Sequence, residues 1–158
     1  MKKLMKTKTI GLTLALSVAA AAMCFAGNPT EGTWKLNESK STFGAGAGKT
    51  TLVVWQKTGH ENKCTVDGTD ADGKKVHTVW TGKLDGKDYP ITGDTSSDTR
   101  SFKLNGDHKI DMVSKKNGKE VGDGMIVVAA DGKTRTVTST IRNAQGVKVT
   151  STQFYDKS

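Results

Sequence analysis

Arg100-Ser101-Phe102-Lys103-Leu104-Asn105-Gly106-Asp107-His108-Lys109-Ile110-Asp111-Met112-Val113-Ser114-Lys115-Lys116-Asn117-Gly118 holds two Asn-Gly dipeptides separated by a run of strand length. Asn-Gly accepts positive φ at both central positions of a tight hairpin, so each dipeptide reverses the chain between neighbouring antiparallel strands. Phe102 and Leu104 alternate with Ser101 and Lys103, the period of a strand with one buried face. Arg100 falls on the same face as Phe102, so a cation is directed inward along with the apolar residues.

Outward from this stretch the pattern repeats. Asp72-Gly73, Asp85-Gly86 and Asp131-Gly132 are further turn dipeptides, and Asn143-Ala144-Gln145-Gly146 is a looser one. Thr, Val and Lys dominate the runs between them, and none keeps a helical period over three turns. The spacing predicts ten strands, at 32–36, 50–57, 62–70, 74–83, 87–91, 98–104, 107–114, 119–129, 134–142 and 147–156. A flat sheet of that many strands leaves two edges unpaired or one apolar face wet, and closure removes both problems. The expectation is an all-β domain, an antiparallel up-and-down barrel of 8 to 10 strands, with a two-sheet sandwich as the alternative.

The N-terminal end reads differently. Met1-Lys2-Lys3-Leu4-Met5-Lys6-Thr7-Lys8 is basic and free of acid, and an uncharged apolar run of 13 residues follows from Ile10 to Ala22. That is the layout of a secretory signal, with cleavage expected after Ala26, and the run falls short of the roughly 20 residues that span a bilayer. The expected domain is therefore 27–158, in the periplasm or secreted. The leader's four lysines carry half of the formal charge of +8, and the remaining lysines are scattered, so a nucleic-acid partner is not expected. An outer-membrane barrel is disfavoured by outward Lys and Thr, an aromatic content of 6% and the ending Asp156-Lys157-Ser158. The expectation is a monomer that does not span a membrane.

Cys64 is the one cysteine of the expected mature chain, and alternation through Lys63-Cys64-Thr65-Val66-Asp67 turns it inward as a small buried hydrophobe. His60, His77 and His108 lack metal-ligand spacing, and alternation points His77 to solvent. Gly44-Ala45-Gly46-Ala47-Gly48-Lys49-Thr50 has Phe43 where a phosphate loop needs its first glycine, so it reads as a connector. Asp70, Asp72, Asp107 and Asp111 are accounted for by turns and polar faces. With no nucleophile elbow and no cysteine–histidine neighbourhood, neither an enzyme nor a cofactor is expected.

Gly32-Thr33-Trp34 resembles the Gly-x-Trp opening of the lipocalin, fatty-acid-binding and avidin-like barrels, the calycins. Together with Lys35-Leu36-Asn37, Lys40-Ser41 and Phe43, and then Thr81-Gly82-Lys83-Leu84-Asp85-Gly86-Lys87-Asp88-Tyr89-Pro90-Ile91-Thr92-Gly93, it is similar to a group of small secreted bacterial proteins of lipocalin-like type. The resemblance implies a barrel with Trp34 plugging its closed end, and it carries no particular activity. Two departures matter. Glu38 to Lys49 lacks the helical stripes of the fatty-acid-binding proteins, and Gln153-Phe154-Tyr155 stands where their last strand has Arg-x-Tyr.

Inward alternation gathers Trp80, Phe102, Met112 and Tyr155 as apolar walls, and Arg100, Arg135, Ser139, Ser151 and Gln153 as polar points. Buried arginines need acceptors, which a ligand carboxylate, an acidic side chain or backbone carbonyls can supply. The expected function is a binding protein that holds a small amphipathic or anionic molecule. The alternative is a packed barrel that acts through its outer surface, as an inhibitor or interaction module. A carrier requires an interior void of about 300 Å³ or more, and a scaffold requires none.

Overall fold

The computed structural model describes residues 28–142 and 145–158. The leader, its cleavage point and the Asn143-Ala144 half of the last turn lie outside the described residues. Ten strands follow in order: β1 Gly32–Thr42, β2 Lys49–Thr58, β3 Glu61–Thr69, β4 Lys75–Gly82, β5 Tyr89–Thr92, β6 Thr99–Leu104, β7 Lys109–Lys116, β8 Lys119–Val128, β9 Thr134–Arg142 and β10 Lys148–Lys157. Each pairs antiparallel with its sequence neighbours, and β1 also pairs with β10, so the sheet closes on itself. The turn dipeptides do what their chemistry demands. Asn117 and Gly118, for example, take φ of 50° and 74°, the paired positive values of a tight hairpin turn.

The first strand is longer than the sequence indicates. Glu38-Ser39-Lys40-Ser41-Thr42 lacks an apolar alternation because β1 is irregular there, its register against β10 shifting between Asn37 and Thr42. A bulged, exposed segment needs no buried face, so it leaves no period in the sequence.

Because the strands run up and down, the β1–β2, β3–β4, β5–β6 and β9–β10 connections all lie at one end. The opposite end is stoppered. Trp34 is fully buried and its Nε1 donates to the Thr30 carbonyl at 2.6 Å, while Thr30 N and Oγ1 donate to Asn28 Oδ1 at 2.9 and 2.7 Å. The segment before β1 is thereby folded under the barrel. Above it, Phe102 stands edge-on to Trp55 and Trp80, with ring centroids 5.0 and 4.7 Å away. Such edge-to-face contacts add about 0.5–1.5 kcal/mol each to the burial itself. Among the described residues no helix is long and apolar enough to cross a membrane.

Candidate functional site

Inward side chains of β2, β3, β6, β7, β8, β9 and β10 leave a chamber of about 180 Å³ above the aromatic floor. Its walls are apolar, with Val53, Trp55, Val66, Phe102, Ile126 and Val137 among them. Small residues on β8 make part of the room: a Cβ at Gly124 would sit 2.8 Å from Met112 Cε, so glycine there lets Met112 lie across the chamber wall. A second space of about 490 Å³ opens toward the loops at the mouth. The two share Thr50, Val66, Arg100, Ser139, Ile141 and Gln153, which form a collar between them. The chamber alone is smaller than the void expected of a carrier, and the mouth exceeds it.

Arg135 enters the chamber from the lower end of β9, where it faces Tyr155 of β10 and Val128 of β8 across the ladders. Its guanidinium carbon lies 4.8 Å from the ring centroids of both Trp34 and Tyr155. The residue is 2% exposed, and its Nε and Nη1 have no hydrogen-bond partner. Burial lowers its pKa from the usual arginine value to about 10, which still leaves it charged at neutral pH. The flanking groups stay neutral: burial pushes the Tyr155 hydroxyl up to about 12 and the Cys64 thiol up to about 12, outweighing the opposing pull of Arg135 on each. Tyr155 Oη lies 3.1 Å from both the Thr50 carbonyl and Gln153 Oε1, and its one proton serves one of them at a time. Gln153 Oε1 also accepts from Thr50 N at 3.1 Å.

Arg100 is arranged differently. Its Nη2 donates to Asp94 Oδ2 at 3.1 Å and its Nε to Ser114 Oγ at 2.9 Å, with side chains 20% and 13% exposed for Arg100 and Asp94. Asp94 in turn accepts from Ser96 N, Ser96 Oγ and Ser97 Oγ at 2.8, 2.6 and 2.6 Å. Burial alone would raise the Asp94 carboxyl, but these hydrogen bonds and the Arg100 charge hold it below the ordinary carboxylate value. Gly93 seats the loop: its φ is +78°, and a Cβ there would lie 1.9 Å from the His77 carbonyl.

Arg100, Phe102, Met112, Arg135, Gln153 and Tyr155 therefore all border the chamber. Trp80 does not. It is buried in the aromatic floor with Nε1 donating to the Arg100 carbonyl at 2.8 Å, so it supports the chamber without lining it. Ser139 sits in the collar, and Ser151 faces the mouth, where its Oγ accepts from Gly44 N at 3.0 Å. His77 points out, 61% exposed, with Nδ1 2.6 Å from Asp67 Oδ1. Among the described residues no cluster of three or more His, Cys, Asp or Glu side chains is arranged to hold a metal.

Trp55 and Asp94 are missing from the sequence-derived set. Trp55 ends the apolar run Leu52-Val53-Val54-Trp55, which hides its parity, although pairing with inward Cys64 fixes it. Asp94 lies in a polar loop, where the serines at 96 and 97 are the signal of a side chain folded back on the backbone.

No protein-family model matches the chain, and no curated protein matches it. Among solved structures it is similar to a redesigned β-barrel, mFAP1, bound to DFHBI, at 17% identity and a TM-score of 0.39, over 79% of this chain and 94% of that one.

Proposed function

We propose that this protein is an exported binding barrel that encloses a small anionic or amphipathic molecule, with Arg135 as the anchor. One observation carries the reading: a charged side chain at 2% exposure borders an internal chamber with two N–H-bearing nitrogens unmatched. Leaving donors of a buried charge unmade is costly, and an anionic occupant supplies the acceptors. The aromatic neighbours stabilise the cation through their faces but leave Nε and Nη1 without a hydrogen-bond acceptor.

On this reading the chain performs no catalytic step, in keeping with Cys64 and Tyr155, which hold their protons to about 12. Export to the periplasm or beyond rests on the basic start and apolar run of the first 26 residues. Mass spectrometry of the protein purified natively from its own compartment tests both parts. The expected result is an N-terminus at Gly27 and a copurifying anion that Arg135→Met loses. Wild-type protein that is empty and takes up no anion would overturn the binding reading, and an intact Met1 would overturn export.

A further inference from the structure

The shape of the chamber narrows what the Arg135 anchor can hold. A cavity of about 150 Å³ admits one benzene-sized molecule, so about 180 Å³ admits one ring and a small substituent. The guanidinium carbon lies 4.8 Å from the ring centroids of Trp34 and Tyr155, and the unmatched Nε and Nη1 are the points of attachment left to an occupant. A planar carboxylate meets in-plane donors well. Between floor and collar the walls are mostly hydrocarbon and aromatic, and the collar adds the polar side chains of Thr50, Ser139 and Gln153. Ser139 and Gln153 stand in that collar, and on its chamber side Ser114 Oγ accepts from Arg100 Nε, so its own proton remains to be donated. Beyond the collar the mouth widens between the loops, bordered by Lys49, Lys74 and Asp94 together with Val66, Val76 and Ile141.

We infer that the occupant is a compact carboxylate of single-ring size, its acid group down on Arg135 and a polar substituent at its far end in the collar. This rests on the anion-binding reading above and specifies the ligand class of that site.

Calorimetric titration of the exported protein with four probes tests it: 4-hydroxybenzoate, benzoate, 4-hydroxybenzyl alcohol and hexadecanoate. The expected order places 4-hydroxybenzoate first. Loss of the hydroxyl should weaken binding by roughly tenfold and loss of the acid by about ten- to a hundredfold, the ranges for a neutral and a charge-assisted hydrogen bond. Hexadecanoate, whose chain exceeds the chamber, should bind more weakly than the ring acids. Arg135→Met should bind the acid and the alcohol alike, and Arg135→Lys should retain part of the preference for acid. The ranking in the wild-type protein stands by itself should a variant fail to fold. Hexadecanoate binding as tightly as the ring acids, in an Arg135-dependent way, would overturn the compact class and leave the anion anchor standing. An alcohol that binds as well as its acid would overturn both, as would the failure of all four probes.

Discussion

Arg100 near the mouth and Arg135 near the floor project into one interior, and the chain completes only the first. Around Arg100 it supplies a carboxylate, a serine hydroxyl and a loop whose serines hold that carboxylate in place. Around Arg135 it supplies two ring faces and leaves Nε and Nη1 without acceptors. Ring faces and carboxylates both stabilise a cation, but only the latter satisfies its N–H groups. The two ends of this barrel thus hold one buried arginine whose Nε and Nη2 are matched and one whose Nε and Nη1 are not.

The largest effect expected of a substitution is at the floor's support. Trp34→Ala removes a fully buried ring and one of the two rings packed on Arg135, and should cost about 3–5 kcal/mol in chemical denaturation. Unchanged stability would mean that the floor does not hold Arg135 in place. Next comes the mouth. Asp94→Asn leaves the Arg100 charge without its partner and should cost about 3 kcal/mol, the low end for breaking a buried pair, since both side chains keep some exposure. A loss of only a few tenths would make the two arginines alike.

At Arg135 the opposite sign is expected. Arg135→Met removes an unmatched buried charge, so the ligand-free protein should be unchanged or about 1 kcal/mol more stable, even though Trp34 and Tyr155 no longer flank a cation. A loss of 2 kcal/mol or more would show that the ring faces alone satisfy this cation. The smallest effect is a pH dependence. Asp94 titrates below its ordinary value of 3.8 when folded, so its contribution is fully present above that pH and disappears as pH falls through the folded value. The stability gap between wild type and Asp94→Asn should be flat from neutral pH down to about pH 4 and narrow below it. A gap that instead widens in acid would contradict the sign of the shift.

Much of this arrangement is legible in the sequence, and the limits have physical causes. Asn-Gly and Asp-Gly turns fix the hairpins because few other residues accept positive φ, and alternation from those turns carries Phe102, Arg135 and Tyr155 inward. Alternation gives a side but not a height. Trp80 and Met112 share the inward side, yet Trp80 lies in the floor and Met112 on the chamber wall, a difference set by register between strands. The same limit hides the contrast between the arginines, since the Arg100 partner comes from a loop that obeys no period.

The narrowest stave of the barrel is β5, which keeps two registered residue pairs with β4 and two with β6. Opening free energies within a fold run from near zero up to the global value, and a strand held by so short a ladder belongs at the low end. Amide protons of Tyr89, Ile91 and Thr92 should thus exchange with deuterated solvent well before those of β9 and β10, whose pairing runs unbroken over nine residues. The loop that carries Asp94 follows directly on β5, so each brief breath of that stave loosens the partner of Arg100 while the cradle of Arg135 stays shut.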